Sequence, residues 1–461
     1  MSILGTYMVP HPPLIIPEVG EGKERGVAEI TTAFHHVAER ISEQKPETII
    51  VISPHQIMYR DYFHISPGKR AKGDFWDYGA EGITISADYD REFIANLEKL
   101  AIARDFPAGT EGEQTKRLDH GTMIPLYFIN KYYRDYQVVR IGLSGLSLTE
   151  HYTLGQIIKE TVQVLEKDVV IIASGDLSHR LKDSGPYGYN PAGPKYDQQI
   201  MEVMGSADFE KLFDFSETFL DEAGECGHRA FTIMAGTLDR TAVSSDALAY
   251  QGPFGVGYGI CTYKPLEKDL SRNFKEQYLA KEKLWLDEHR TREDIYVKLA
   301  RQAIELYVTT GQQLTLPEDL PSEFYETTAG TFVSLKKDGR LRGCIGTLQA
   351  TKENLGEEII ENALSASTRD PRFDGVSEDE LDKLIISVDV LGPMEAITSE
   401  ADLDVKKYGV VVTSGYKRGL LLPNLEGIDT IAAQIKIAKN KASITEDEEY
   451  SLERFEVVRH E

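Results

Sequence analysis

Four histidines stand where imidazoles can do chemistry. His11 (VPHPPL), His55 (VISPHQ) and His179 (IIASGDLSHR) each follow a short apolar run, and His120 (RLDHGTMIPL) opens an apolar helical stretch. The segment EAGECGHRAFTIMAG adds Glu225 and Cys226 in a glycine-flanked turn. Two neutral imidazoles and one carboxylate on one face of a metal leave positions open for substrate and O2, the ligand set of non-haem Fe(II) oxygenases. His11, His55 and Glu225 would complete such a set. Glu222 and Cys226 compete for the third place, and a thiolate would favour a softer metal or a different iron chemistry. Each residue also has a plainer reading. A lone His can be a loop or a satisfied core residue. Glu225 can be an acid stabilised at a helix N-terminus, and a free Cys is commonly a small buried hydrophobe.

The elements around these residues give the histidines a common address. Up to about residue 265, short apolar strands alternate with amphipathic helices. Strands are expected at 3–9, 48–53, 137–143, 169–174 and 256–263. Helices are expected at 22–43, 90–104, 120–132, 149–166, 195–205 and 227–239. That alternation predicts an α/β domain with a mostly parallel central sheet. Ligands of such sheets gather beyond the carboxyl ends of the strands. Three strand-end histidines therefore converge on one crevice.

A charged stretch, KDLSRNFKEQYLAKEKLWLDEHRTRE, separates this domain from a second one. The expected division is 1–268, a helical connector over 269–289, and 290–461. The last part reads as α+β. It has a helix over 293–310, a hairpin over 331–346 turning at Asp338-Gly339, a helix over 354–367, strands at 384–391 and 408–413, a helix over 428–440 and a closing strand. Its most distinctive string is LRGCIGTL (341–348). Arg342 and Arg372 could bind an anionic group bidentately, and Cys344 is a candidate nucleophile. Cys344 reads more readily as a buried sheet thiol, since His289 and His460 are the only histidines in this half. The apolar Leu341 and Ile345 predict that this strand lies near the middle of its sheet. Arg342 is then expected to face a cleft shared with Arg372, and to be dispensable for folding.

The motifs HPPL, SPH, LDHGTMIPL, SGDLSH and the AGE turn, in this order over residues 1–265, resemble the class III (LigB-type) extradiol ring-cleavage dioxygenases. The resemblance implies Fe(2+) held by His11, His55 and Glu225, with Zn(2+) as the alternative. It also implies His179 as acid/base residue and His120 as a hydrogen-bond donor to substrate or intermediate. It implies a small phenolic or catecholic substrate together with O2. Two departures stand out: Asp176 in SGDLSH, and ECG after the carboxylate. LRGCIGTL, SASTRDPRF, the SGYKRGLLLPNLEGIDT stretch and the terminal RFEVVRH resemble the AMMECR family over about 290–461. The pair of domains resembles the AmmeMemoRadiSam system protein A type. That resemblance implies Memo-like and radical-SAM proteins as partners, and a non-dioxygenase role as metal-binding accessory or scaffold is the alternative function.

Composition narrows the classes. Lys plus Arg number 51 and Asp plus Glu 75, a formal net charge of -24. The acidic excess is shared by both halves, which argues against nucleic acid and anionic membrane as partners. No apolar run reaches about 18 residues, so no membrane span is expected. Three cysteines are too few for a disulfide framework and suit a reducing compartment. The start, broken by prolines and a His, is not expected to be a signal peptide. A cytoplasmic location is expected, with homo-oligomers admitted.

Overall fold

The computed structural model describes residues 2–114, 117–425 and 427–461. The chain divides into two compact units, residues 1–280 and 281–461.

The first unit is an α/β domain. Its elements in chain order are β1 (Ile3–Val9), α1 (Ala28–Gln44), β2 (Thr48–Ile52), β3 (Arg70–Phe75), β4 (Ala80–Asp88), α2 (Arg91–Ala103) and α3 (His120–Ile129). They continue with β5 (Gln137–Ile141), α4 (Leu148–Leu165), β6 (Val169–Ser174), α5 (Ala192–Ser206), α6 (His228–Thr237), β7 (Thr241–Gln251) and β8 (Tyr258–Lys268). The central sheet runs β5-β2-β6-β1-β8-β7. Its first four strands are mutually parallel, and β8 and β7 add antiparallel pairs at one side. β2 and β6 are buried along their whole length, the pattern of a sheet covered on both faces. The topology already builds a site. β6 lies between β2 and β1, with Ser174 paired to Val9 and Ala173 paired to Ile52. The loops carrying His11, His55 and His179 therefore leave neighbouring strands at the same end.

The β3–β4 hairpin is not among the sequence expectations. β3 and β4 pair antiparallel from Arg70↔Asp88 to Phe75↔Ala80, joined by the turn Trp76–Tyr78. β7 was also not anticipated; its alternating Ser, Ala and Asp residues leave most of it only partly buried, so no apolar run marks it.

A long helix, α7 (Phe274–Arg292), carries the chain across the boundary between the units. The second unit contains α8 (Ile295–Thr310), β9 (Thr331–Lys337), β10 (Arg340–Gly346), α9 (Leu355–Thr368), β11 (Ile385–Leu391), β12 (Tyr408–Ser414), β13 (Lys417–Leu421), α10 (Ile431–Lys441) and β14 (Ser451–His460). Its sheet runs β10-β9-β11-β14-β12-β13 with antiparallel pairing throughout. The β9–β10 hairpin turns at Asp338 (φ 53°) and Gly339 (φ 73°), the two left-handed residues that a tight hairpin of this twist requires. Val333, Leu335, Ile386 and Val388 pack one face of the sheet against Val297, Ala300, Ile304, Ile359 and Ala363 of α8 and α9.

The LRGCIG strand is at the edge of that sheet, not its middle. Side chains do there what a neighbouring strand would do. The Cys344 N–H donates to Asp370 Oδ2 at 2.9 Å, and its carbonyl accepts from Arg372 Nη2 at 3.0 Å. Gly343 is pressed against α9, where a Cβ would lie 2.1 Å from the Ala366 carbonyl oxygen. An edge covered in this way is not a pairing hazard.

Candidate metal centre

The site is assembled from the carboxyl ends of β1, β2 and β6 and from two helix starts. His11 leaves β1 and is buried, with 1% of its surface exposed. Its backbone N–H donates to Asp176 Oδ1 at 2.8 Å, which ties the loop after β1 to the loop after β6. Its Nδ1 lies 3.0 Å from Ser174 Oγ, and Ser174 Oγ donates to the Gly121 carbonyl at 2.6 Å. The hydroxyl proton is thereby committed, so His11 Nδ1 carries the hydrogen and Nε2 keeps its lone pair. That is the tautomer of a metal-ligating imidazole held by an outer partner.

The lone pair points at two further ligand atoms. His55 Nε2 is 3.0 Å away and Cys226 Sγ is 3.6 Å away. Among the described residues, His11, His55 and Cys226 form the group whose ligand atoms all lie within 4.8 Å of one another. The distances fit a divalent ion. For bonds of about 2.1 Å to nitrogen and about 2.3 Å to sulfur, they are the chords of angles of about 90° and about 110°.

The third ligand offered by the geometry is thus Cys226, and Glu225 stands outside the group. Glu225 Oε2 accepts the His228 N–H at 2.6 Å, satisfying one of the free donors at the start of α6. Burial pushes its carboxyl up to about 7. The local reason is backbone packing. Gly175 and Gly227 are in contact, so close that a Cβ on Gly175 would lie 2.2 Å from Gly227 Cα. This presses the turn onto the loop after β6, and the Asp176 N–H donates to Cys226 Sγ at 3.3 Å. Glu222, the other competitor, is exposed on the short helix Glu217–Ala223.

Burial sets the charge state of the group. It pushes His11 well below its ordinary pKa, with His55 beside it adding to the effect, and it lowers His55 as well. Both imidazoles are neutral at pH 7, as ligands must be. Burial pushes the Cys226 thiol up, and Asp176 and Glu225 add to this. A cation between the three residues would reverse that shift and hold a thiolate.

His120 and His179 flank the group without joining it. His120 is the first residue of α3. Its ring lies 3.9 Å from that of His55 and 5.3 Å from that of His11. Its Nδ1 is 3.0 Å from the Tyr78 hydroxyl at the tip of the β3–β4 hairpin. Asp119 caps α3 by accepting from Thr122 N at 2.9 Å, and it also accepts from Ser53 Oγ at 2.7 Å and pairs with buried Arg140 at 3.1 Å. Burial would raise the Asp119 carboxyl, but Arg140 and these donors outweigh it and hold it low. His179 Nδ1 is 2.7 Å from the Gly224 carbonyl oxygen, which can only accept. The proton is therefore on Nδ1, and Nε2 is free to take one.

Ser174, Asp176 and Tyr78 have no role in the sequence reading. Asp176 stood out there as a departure in SGDLSH. Ser174 ends an apolar strand and carries no signal of its own. Tyr78 could have been found by its setting: alternating RAKGDF and ITISAD around a WDYG turn mark a hairpin.

The arginine cleft expected in the second unit is not formed. Arg342 is the extra residue of a bulge in β10, and its guanidinium binds Glu380 (3.0 and 2.8 Å) and the carbonyls of Asp374 and Gly375. Arg372 is spent on Asp370 and on the Cys344 carbonyl. Cys344 Sγ accepts from Ser334 Oγ at 3.2 Å. Arg342 is paired with Glu380, which Lys337 shares, and Arg372 with Asp370.

Comparison with known proteins agrees with this division. A family model described as the catalytic LigB subunit of aromatic ring-opening dioxygenase matches residues 5–261, and the AMMECR1 model matches residues 297–460. A Clostridium acetobutylicum protein is 41% identical over 100% of this chain and 99% of its own length. A Thermotoga maritima protein is 50% identical over 36% of this chain and 96% of its own length. The crystal structure of an uncharacterised Pyrococcus horikoshii protein is 31% identical, covering 37% of this chain and 90% of that one with a TM-score of 0.34.

Proposed function

Because the chain belongs to the LigB family of ring-opening dioxygenase subunits, joined here to an AMMECR1 domain, we propose that its first domain is a mononuclear metal centre acting on a small phenolic or catecholic molecule with O2. The observation that carries this reading is the convergence of His11, His55 and Cys226 on one point, flanked by His120 and His179. Fe(2+) is the metal proposed, with Zn(2+) as the alternative. A bound ferrous ion would supply a Lewis-acidic place for the two vicinal oxygens of a catechol and electron transfer toward O2.

The residues of the chain do the rest. His179, with its proton fixed on Nδ1 by the Gly224 carbonyl, offers Nε2 as general base for a phenolic hydroxyl. The Tyr78 hydroxyl lies 3.0 Å from His120 Nδ1 and orients the ring; donation from Tyr78 would place the His120 proton on Nε2, the tautomer that a hydrogen-bond donor to a substrate oxygen needs. Ser174 and Asp176 hold His11 by its ring and by its backbone.

One observation favours a second reading. A thiolate in place of the carboxylate of the facial triad shifts preference toward zinc or copper. In that case the domain is a metal-binding accessory or scaffold that works with Memo-like and radical-SAM proteins. Anaerobic loading with Fe(2+), followed by metal analysis and O2 uptake with catechol, separates the two. Stoichiometric iron with catechol-dependent O2 consumption supports the oxygenase. Zinc retention without O2 consumption supports the accessory role.

A further inference from the structure

A cleft of about 350 Å³ opens beside the metal-site histidines, with His55 and His120 in its wall. Ile57, Leu118 and Met123 give it an apolar side that suits an aromatic ring. Its charged lining is unequal. Among the described residues it has four carboxylates, Asp74, Asp77, Glu113 and Asp119, and two guanidiniums, Arg117 and Arg140. Arg140 and Asp119 are a buried pair and cancel. Arg117 is shared between Asp74 at 3.4 Å and Asp77 at 2.8 Å, so one cation meets two acids. Glu113 brings a further carboxylate with no cation in salt-bridge reach among the described residues. The excess sits on the hairpin tip and the loop before α3, on the same wall as Tyr78, whose hydroxyl reaches His120.

Resting on the metal-centre reading above, we propose that this cleft selects phenolic substrates whose side chain ends in a cation, such as an ammonium, and rejects those that carry a carboxylate. The ring oxygens face the histidines and the cationic tail faces Asp77 and Glu113. A tail carboxylate would meet the same two acids, and among the described residues both guanidiniums of the lining are already engaged with carboxylates.

The test uses a pair of probes of opposite tail charge. Dopamine and 3,4-dihydroxyphenylacetate share the catechol and a two-carbon side chain and differ in the charge of its end. Titration calorimetry on the full-length, metal-loaded protein with O2 excluded reads affinity without turnover. Dopamine is expected to bind tighter than the acid by on the order of tenfold or more, the scale of a Coulomb term across a half-wet cleft. The margin should narrow as salt is added. Glu113→Gln and Asp77→Asn should each narrow it at low salt, with metal content unchanged, and the double variant should erase it. Equal or tighter binding of the acid by the wild type overturns the proposal while leaving the metal centre intact. A preference that survives the double variant also overturns it. Binding of neither catechol by metal-replete protein removes the phenolic reading itself, and this proposal with it.

Discussion

His11 Nε2 and Cys226 Sγ meet at 3.6 Å although 215 residues separate them in sequence. Glu225, one residue earlier, gives its carboxylate to the His228 N–H. The adjacent acid and thiol thus have different tasks, one holding a helix and the other facing the imidazoles. Cys226→Ser should therefore lose most of the bound metal on dialysis. Glu225→Gln should retain it and lose stability instead, by about 1 kcal/mol for a weakened helix-start hydrogen bond. Metal analysis and thermal melts on the two variants check this; the reverse pattern would restore Glu225 as the ligand.

Ser174 fixes the His11 tautomer without touching the metal position. Ser174→Ala should weaken metal affinity by about 10–100-fold, the usual cost of removing an outer partner of a ligand. Competition against a chelator of known affinity measures it. An unchanged constant would mean that His11 is oriented by packing alone.

His179→Ala should keep the metal and slow any turnover by about 10²–10⁴-fold, the range of a lost general base. Metal analysis and O2 uptake on the same preparation separate the two effects. Loss of the metal in this variant would make His179 a ligand.

Asp197 predicts a pH dependence of stability. It accepts from Ser178 N and from the Tyr250 hydroxyl, both at 2.8 Å, and burial pushes its carboxyl up to about 7. A raised acid means that the folded state holds a proton the unfolded chain releases from about pH 4 upward. The proton therefore stabilises the fold most at low pH within this window, and stability falls as pH rises toward 7. Asp197→Asn keeps the acceptor for Ser178 and cannot ionise. It should flatten the dependence between pH 4 and 7, a difference on the order of a few kcal/mol. Denaturant melts across that range would show parallel slopes if Asp197 were not responsible.

In the second domain, Arg342 and Glu380 are largely buried, with 17% and 10% of their side chains exposed. Arg342→Ala should cost about 2–4 kcal/mol, since it strands a buried carboxylate that Lys337 alone must then balance. A melting temperature near that of the wild type would return Arg342 to the role of a free anion-binding residue.

The strand–helix alternation was legible because a parallel sheet covered on both faces needs unbroken apolar strands. TIIVIS and VVIIAS are such strands, and the position of His55 and His179 just beyond them pointed to one crevice. The choice between Glu225 and Cys226 was not legible. Both occupy one glycine-flanked turn, and what orients them is the contact of Gly175 with Gly227, a relationship between distant backbones. The edge position of LRGCIG was missed for a similar reason. Apolar residues there suggested a central strand, whereas Asp370 and Arg372, a short way along the chain, supply the missing hydrogen bonds. Arg342 and Arg372 looked free because nothing in the sequence marks Glu380, in a short helical segment, or Asp370, in the turn after α9, as the carboxylates that pair with them.

The central claim is that Cys226 and two histidines hold one metal ion. X-ray absorption at the metal edge of the loaded, full-length protein tests it most directly. The account predicts one sulfur at about 2.3 Å together with nitrogen or oxygen neighbours at about 2.0–2.2 Å, and loss of the sulfur shell in Cys226→Ser. A first shell of nitrogen and oxygen alone in the wild type would contradict it.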